Sequence, residues 1–344
     1  MIIVYFLLGL LAISTVYHQI RKRIEDKKNP APGEMITVGD GRMHIYGKGE
    51  GSPAILFTCG NGMGFTLGNF YPIFSALAQK TRVIVYDRFG YGWSDSTSRP
   101  RTIKQINEDL YELLAKSQET GPFVLVGHSL GATEVVQFAQ RYPELVSGIA
   151  TLDGTSPAFY KDRKNLLYQN TFASLVARFL SVSGLLRILT NLNLLSTAGI
   201  SSPEEIVKIT NMMTYNRVYS NEAVAEVKAL INNDEEQGNL EDIPLLVLTA
   251  DNQKMKKKQP ETYNYFADSQ KELSNLSINS DQKIIENADH FFPIKMPEIV
   301  IEELQNFFEK IQADILADQT SQANIHLDYP EEYERKVLDF KKSL

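Results

Sequence analysis

Cysteine and clustered metal ligands are scarce in this sequence. A single cysteine, Cys59, stands among the 344 residues, so no disulfide can form within the chain. The five histidines are not grouped with cysteine at a spacing that would bind a metal ion. The sequence therefore predicts a fold that depends on packing alone, and it gives no indication of a metal or another cofactor.

A concentrated basic surface is also missing. The formal net charge is −7, whereas binding to nucleic-acid phosphates requires clustered lysine and arginine. We therefore expect no nucleic-acid partner. The glycine-rich stretch CGNGMG at 59–64 is not followed by the Lys-Ser/Thr pair that a P-loop requires, which excludes that kind of phosphate site.

The N-terminal segment is the first strong feature that is present. The stretch MIIVYFLLGLLAISTVY carries no charged side chain, and the basic flank HQIRKRIEDKK follows it. A membrane-spanning helix needs about 20 apolar residues, so we predict an anchor at 1–20. Because cytoplasmic flanks carry the excess of lysine and arginine, the charges at 21–28 place the rest of the chain in the cytoplasm. The alternative is a secretion signal cleaved near Ala12, which would place the chain outside.

Strand and helix patterns alternate along two parts of the chain. A basic, proline-containing linker at 21–35 leads into the first part, 36–154, and the alternation returns at 243–312. Such alternation predicts an α/β fold with a doubly wound, mostly parallel sheet. The helical pattern at 155–242 predicts a cap inserted over the strand ends. Residues 313–344 are predicted to form a polar tail with one amphipathic helix.

In the stretch PFVLVGHSLGATEVVQFA at 122–139, the spacing of the apolar residues changes after the glycine-rich middle. The run before the first glycine reads as a buried strand, and the apolar residues after Ser129 fall at helical spacing with Glu134 on a polar face. Glycines on both sides of the serine relieve the crowding of so tight a turn. This strand-turn-helix pattern is typical of a nucleophile elbow, in which the serine hydroxyl is exposed and the amide of Leu130 is an oxyanion donor.

The globular part resembles the α/β-hydrolase superfamily, in the serine-nucleophile branch with a helical cap. The resemblance covers about 36–312 and depends on four stretches in the expected order. These are CGNG at 59–62, YDRFGYGWSD at 86–95, GHSLG at 127–131 and NADHFF at 287–292. The resemblance is specific for the fold but much less specific for a substrate, because one fold hosts many functions.

The resemblance also implies a catalytic triad. Ser129 takes the place of the nucleophile, and His290, after the last predicted strand, takes the place of the base that activates it. Two carboxylates are candidates for the acid: Asp153 at the end of the strand after the elbow helix, and Asp251 after the next-to-last strand. Either could orient the imidazole, and Asp153 is preferred. The second oxyanion donor is expected to be the backbone amide of Asn61.

These residues predict a serine hydrolase that cleaves a small-molecule or lipid ester through an acyl-enzyme. A serine at the elbow disfavours dehalogenase and epoxide hydrolase chemistry, for which this superfamily carries aspartate. Two alternatives stay open. A peptidase of the proline-iminopeptidase type would need an acidic cluster, for which NNDEEQ at 232–237 is a candidate. A hydrolase-fold protein could also bind a ligand without turning it over.

Overall fold

The structure is a computed structural model that describes residues 1–156, 159, 164–192, 194, 201–230 and 238–324. The chain divides into two units, 1–305 and 306–344, and every contact described below lies within the first. The predicted tail helix and the acidic stretch at 232–237 lie outside the described residues.

An eight-stranded sheet forms the centre of the first unit. The strands are β1 (Glu34–Val38), β2 (Gly41–Lys48), β3 (Ala54–Thr58), β4 (Val83–Asp87), β5 (Phe123–His128), β6 (Val146–Leu152), β7 (Leu245–Ala250) and β8 (Ser280–Ile285). Their spatial order is β1-β2-β4-β3-β5-β6-β7-β8. Strands β1 and β2 form the predicted hairpin, β2 and β4 are also antiparallel, and all other neighbours are parallel. The predicted doubly wound, mostly parallel α/β sheet is confirmed.

Helices follow most strands, as the alternating pattern predicted. Strands β3, β4 and β5 are buried along their whole length, which agrees with their continuous apolar sequences. The helices of the first unit outside the cap are α1 (Ile2–Lys28), α2 (Thr66–Asn69), α3 (Tyr71–Leu77), α4 (Ile103–Lys116), α5 (Leu130–Arg141), α10 (Gln253–Lys258), α11 (Pro260–Ser274) and α12 (Phe292–Lys295), and α13 (Pro297–Asn324) crosses into the second.

Helix α5 has no exposed polar face, contrary to the sequence prediction. It packs against β3, β5 and β6 and also against α4, so neighbours cover it on more than one side. Glu134 is fully buried as a result. The prediction assumed a surface helix with one solvated face, whereas the helix after the elbow lies in the middle of the fold.

The first helix is longer than predicted. Helix α1 continues through the basic flank to Lys28, so residues 21–28 of the predicted linker are helical and the Pro/Gly stretch at 29–33 joins α1 to β1. Lysine and arginine are good helix formers, and Lys27 and Lys28 in the last turn interact favourably with the helix dipole. At the other end, α13 runs past 312 to Asn324.

One described helix, α1, is long and apolar enough to cross a membrane, with a mean hydropathy of 1.7 over its most apolar window. A signal sequence near an N-terminus has the same properties. The pair of segments Thr171–Val182 and Leu185–Asn191, bent by 79°, would give a second candidate if it were one span. Length and composition therefore agree with the predicted anchor without distinguishing it from a signal.

The segment between β6 and β7, called the cap below, carries four helices in its described part. They are α6 (Lys164–Val182), α7 (Leu185–Asn191), α8 (Glu204–Arg217) and α9 (Asn221–Leu230). Val227 and Leu230 of α9 share an apolar cluster with Phe159 and with Leu130 of the elbow. The cap therefore packs directly against the residue that follows the predicted nucleophile.

Candidate active site

Ser129 is the single residue between β5 and α5. Its backbone has φ 54° and ψ −122°, a conformation that costs free energy and recurs at functional turns. A Cβ added at Gly127 would lie 2.3 Å from the carbonyl oxygen of Gly131, so only glycine fits before this turn. The sequence thus forces the strand to end abruptly and leaves the serine at the carboxyl end of β5.

The loop after β3 runs beside Ser129. Strands β3 and β5 are neighbours in the sheet, although β4 lies between them in the chain. Ligands of doubly wound sheets bind at such a switch point. A Cβ added at Gly60 would lie 2.8 Å from the Cβ of Ser129, so glycine is needed there as well. Asn61, the predicted oxyanion residue, follows directly.

His290 joins the serine to a carboxylate. Its Nε2 lies 3.0 Å from the Ser129 Oγ, and its Nδ1 lies 2.7 Å from Asp153 Oδ2. The side chain of His290 is 22% exposed and that of Asp153 is 6% exposed. Strand β8 ends at Ile285, and a loop carries the imidazole of His290 back over the elbow.

Asp153 is held firmly at the end of β6. Its amide donates to the carbonyl of Leu248 (2.8 Å), and its Oδ1 accepts a hydrogen bond from the amide of Ala250 (3.0 Å). The residue has φ 44°, which turns the chain sharply after the strand. Both carboxylate oxygens are therefore engaged, one by β7 and one by His290.

Asp251, the other candidate acid, makes no hydrogen bond or ion pair with His290. Its amide donates to the carbonyl of Ile285 (3.1 Å). Its Oδ1 is buried and has no hydrogen-bond partner among the residues that the structure describes. Of the two aspartates left open by the sequence, the structure brings only Asp153 into contact with the imidazole.

His128, beside the serine in sequence, supports the loop that carries His290. Its ring is buried, and its Nε2 lies 2.8 Å from the carbonyl oxygen of His290. A carbonyl only accepts hydrogen bonds, so Nε2 carries the proton and donates. The two imidazole rings lie 4.8 Å apart between centroids. His128 thus holds the backbone of His290 in place through this hydrogen bond.

The burial of His128 predicts a pH-dependent stability. Desolvation, and then the neighbouring His290, lower the pKa of His128 from 6.5 to about 3. Between these values the unfolded chain binds a proton that the folded chain does not. The stabilising contribution is therefore complete above pH 6.5 and is lost as the pH falls toward 3, by ~1.4 kcal/mol per pH unit.

We expect the free energy of unfolding of the wild type to fall by ~2 kcal/mol more between pH 7 and pH 5 than that of His128→Gln, whose amide can still donate to the same carbonyl. Urea unfolding of both proteins at the two pH values measures the difference. Parallel pH dependence in the two proteins would show that His128 does not titrate in this way.

The predicted oxyanion donors are the amide of Leu130, directly after Ser129, and the amide of Asn61, directly after Gly60 in the loop beside the serine. Leu130 is the first residue of α5, where backbone N–H groups have no partner within the helix. The described part of the chain gives neither the Leu130 amide nor the Asn61 amide a backbone acceptor. An N–H group without a backbone acceptor can donate to an oxygen that develops negative charge, which agrees with the role predicted for both amides.

A cap glutamate fixes the loop that carries Asn61. The Asn61 side-chain amide donates to Glu226 Oε2 (3.0 Å) and to the carbonyl of Ala223 (2.7 Å), both on α9. The hydroxyl of Tyr91 donates to the same Glu226 oxygen (2.6 Å), and burial followed by this carboxylate raises the pKa of the tyrosine. The cap thereby orients the loop that carries Asn61.

An arginine links this glutamate to the elbow helix. Arg88 pairs with Glu226 (3.1 Å) and with Glu134 (2.7 Å), and all three side chains are almost fully buried. Arg88 Nη1 also donates to the carbonyl of Cys59 (2.9 Å). Sequence reasoning missed this cluster, because each residue alone resembles a surface charge; the one available signal was Glu134 in an otherwise apolar central helix.

Removing Glu226 is expected to destabilise the protein strongly. Glu226→Ala leaves Arg88 with one carboxylate fewer and deprives Tyr91 and Asn61 of an acceptor, all in a buried region. Loss of one partner of a buried ion pair costs about 3–5 kcal/mol. The matched control, Glu204→Ala, removes an exposed cap carboxylate (82% exposed) and should cost about 0.5 kcal/mol or less. Urea unfolding gives both values, and equal midpoints for the two variants would contradict the expectation.

The family follows from comparison with known proteins. The profile described as alpha/beta hydrolase fold matches residues 53–297, which is well over half of the chain. The chain therefore belongs to the α/β-hydrolase family, as the order of its motifs predicted. The matched region begins just before β3 and ends at the start of α13, so it contains Ser129, Asp153 and His290.

Curated relatives cover several chemistries. A 2-(acetamidomethylene)succinate hydrolase of Mesorhizobium japonicum is 31% identical over 35% of this chain and 42% of its own length. A 1-acylglycerol-3-phosphate O-acyltransferase of Arabidopsis thaliana is 32% identical over 34% and 28%. A proline iminopeptidase of Saccharolobus solfataricus is 26% identical over 44% and 53%. The chain thus spans about half or less of the length of these relatives.

Solved structures share the fold across most of the chain. An epoxide hydrolase of Bacillus megaterium in complex with an inhibitor superposes with a TM-score of 0.60, covering 80% of this chain and 100% of that one at 17% identity. A thermophilic esterase of Thermogutta terrifontis gives a TM-score of 0.57 over 81% and 99% at 19% identity. At these identities the comparison establishes the fold and leaves the reaction open.

Proposed function

We propose that this protein is a serine hydrolase that cleaves carboxylic esters through an acyl-enzyme. The observation that carries the proposal is the chain of two hydrogen bonds that runs from Asp153 through His290 to the hydroxyl of Ser129. A serine hydroxyl is a weak nucleophile until a base accepts its proton. This arrangement supplies the base and a carboxylate that orients it.

The reaction proceeds in two halves. With Nδ1–H of His290 donating to Asp153, the free lone pair of Nε2 faces the serine and accepts its proton as Oγ attacks the ester carbonyl. The amides of Leu130 and Asn61 stabilise the oxyanion. The imidazolium returns the proton to the leaving alcohol, which departs as the acyl-enzyme forms. In the second half, His290 accepts a proton from water as the water oxygen attacks the acyl carbonyl. The imidazolium then returns this proton to the Ser129 Oγ, and the carboxylic acid is released.

The proposed substrate is an apolar or lipid-derived ester, which the protein binds at a membrane surface. The apolar cluster of Leu130, Phe159 and Phe266 borders the site, and the ring of Phe266 lies 5.5 Å from that of His290. An acyl chain would find a matching surface there. The length and apolar character of α1 support its role as a single-pass anchor, with the hydrolase part on the cytoplasmic side according to the basic residues that follow.

A serine peptidase of the proline-iminopeptidase type is the second candidate. The similarity to the Saccharolobus solfataricus iminopeptidase favours it. The acidic stretch at 232–237 that could receive a substrate amino group lies outside the described residues. A ligand-binding protein without turnover is the third candidate, and the intact Ser129, His290 and Asp153 arrangement counts against it.

Turnover of two kinds of substrate separates these candidates. Purified full-length protein is assayed with p-nitrophenyl esters of graded acyl length and with proline p-nitroanilide. The ester proposal expects a kcat/KM that rises with acyl length and exceeds that for the anilide. Preferred cleavage of the anilide would identify the peptidase. No turnover, together with a ligand-dependent rise in Tm, would identify a binding protein.

A further inference from the structure

Helix α6 of the cap exposes large apolar side chains and buries small polar ones, the reverse of a surface helix in a soluble protein. Its exposed side carries a stripe of large apolar residues, called the α6 stripe below, in which Phe172 is 70% exposed and Phe179 is 53% exposed. The small polar residues Ser174 and Ser181 of the same helix are buried instead. The α6 stripe consists of Phe172, Leu175, Val176, Phe179 and Val182. A contiguous apolar surface of this kind marks an interaction site.

The stripe ends where the anchor helix docks. Gln19 of α1 donates to the carbonyl of Val182, and the hydroxyl of Ser14 donates to the carbonyl of Ser183 (2.8 Å). A Cβ added at Gly184 would lie 2.7 Å from the Cβ of His18, so the two segments approach closely. The apolar surface of α1 and the α6 stripe are thus continuous at the end of α6.

A buried ion pair fastens α1 to the cap below this point. Arg187 at the start of α7 donates to both oxygens of Glu25 (2.6 and 2.8 Å), and Asn216 of α8 donates to the same carboxylate (3.1 Å). Bidentate pairs fix orientation as well as distance. Helix α1 is therefore attached to the cap at a defined angle, and the depth of one in a membrane sets the depth of the other.

The length of α1 places the stripe at a membrane surface. With a rise of 1.5 Å per residue, the helix from Ile2 to Gln19 is about 26 Å long. The hydrocarbon core of a bilayer is ~30 Å thick. If α1 spans it, Val182 at the end of the stripe lies near its cytoplasmic boundary, where interfacial helices bury apolar side chains among the lipid headgroups.

We propose that the α6 stripe is a second membrane contact, by which the cap lies on the lipid bilayer beside its own anchor helix. The proposal rests on the membrane-spanning role proposed above for α1 and is independent of the chemistry at Ser129. The occupant is lipid, because the stripe joins the membrane helix and the basic residues Arg21 and Arg23 flank the junction. The stripe would hold the cap, and the site beneath it, at the surface from which apolar esters arrive.

Fluorophore quenching in vesicles tests this contact. Cys59 is 2% exposed and burial raises its pKa to about 11, so a cysteine placed on the surface can be labelled alone. Four full-length proteins are labelled with a nitrobenzoxadiazole maleimide: Phe172→Cys, Phe179→Cys, Leu10→Cys within α1, and Lys104→Cys at an exposed position of α4. Each is reconstituted in phosphatidylcholine/phosphatidylglycerol vesicles with and without nitroxide-labelled lipid. Unlabelled wild type gives the background.

The expected result is about two-fold or greater quenching by nitroxide lipid at Phe172 and Phe179, as at Leu10, and none at Lys104. Quenching at Leu10 without quenching at Phe172 and Phe179 would overturn the proposal while leaving α1 in the membrane. No quenching at any position would overturn both placements. A blue-shifted label at Phe179 that lipid nitroxide does not quench would also overturn it, because a second copy of the chain would then cover the stripe.

Discussion

Replacing Asp153 by asparagine is expected to lower kcat for ester hydrolysis by about 10³- to 10⁴-fold. The carboxylate accepts a hydrogen bond from Nδ1 of His290 (2.7 Å), which keeps the lone pair of Nε2 facing the serine. An asparagine amide can donate to Nδ1 instead, which favours the wrong tautomer and cannot stabilise the imidazolium. Steady-state kinetics with a saturating p-nitrophenyl ester measures the loss, and thermal unfolding checks the fold.

Asp251→Asn is the matched control for this prediction. The change is chemically the same, but the Asp251 carboxylate makes no hydrogen bond or ion pair with His290, so kcat should stay within about three-fold of the wild type. A larger loss in Asp251→Asn than in Asp153→Asn would contradict the assignment and move the role of orienting acid to Asp251.

Replacing Ser129 by alanine is expected to lower kcat by about 10⁴- to 10⁶-fold, and His290→Ala by a similar factor. In the proposed mechanism the two groups act in one proton transfer, and their Nε2 and Oγ atoms lie 3.0 Å apart. Removing either one stops the same step. The double variant Ser129→Ala/His290→Ala should therefore be no slower than either single variant, because only the oxyanion donors and substrate binding remain.

The double variant supplies the outcome that would contradict this account. Losses that multiply would mean that Ser129 and His290 act in separate steps. Full activity in Ser129→Ala would mean that another group is the nucleophile. Neither side chain is part of a large apolar cluster, so the variants are expected to fold. Circular dichroism and urea unfolding of each variant check that the loss of activity is not a loss of structure.

The features that the sequence predicted correctly are encoded locally. The elbow depends on the glycines on both sides of Ser129 and on an apolar strand directly before it, so the turn and the exposed hydroxyl follow from a few adjacent residues. The order of strands and helices likewise follows from periodicity within each segment. His290 was a candidate because a short motif after the last predicted strand carries it, and its role as the base stays a prediction.

The features that the sequence did not predict depend on distant partners. Asp153 and Asp251 have equivalent chemistry, and only the positions of β7 and the His290 loop decide which one meets the imidazole. Glu134 was assigned to a polar face because helical spacing does not reveal that its carboxylate accepts hydrogen bonds from Thr58 and Arg88 inside the fold. Its pairing with Arg88 joins residues far apart in the chain, so no local pattern contains it.

Covalent labelling with a fluorophosphonate probe tests the central claim, that Ser129 is an activated nucleophile, most directly. Full-length protein is incubated with the probe, and intact mass and peptide mapping locate the adduct. The account predicts one adduct per chain on the peptide that contains Ser129, none in Ser129→Ala, and much slower labelling in His290→Ala. Folded wild-type protein that stays unlabelled, or that carries the adduct at another residue, would contradict it.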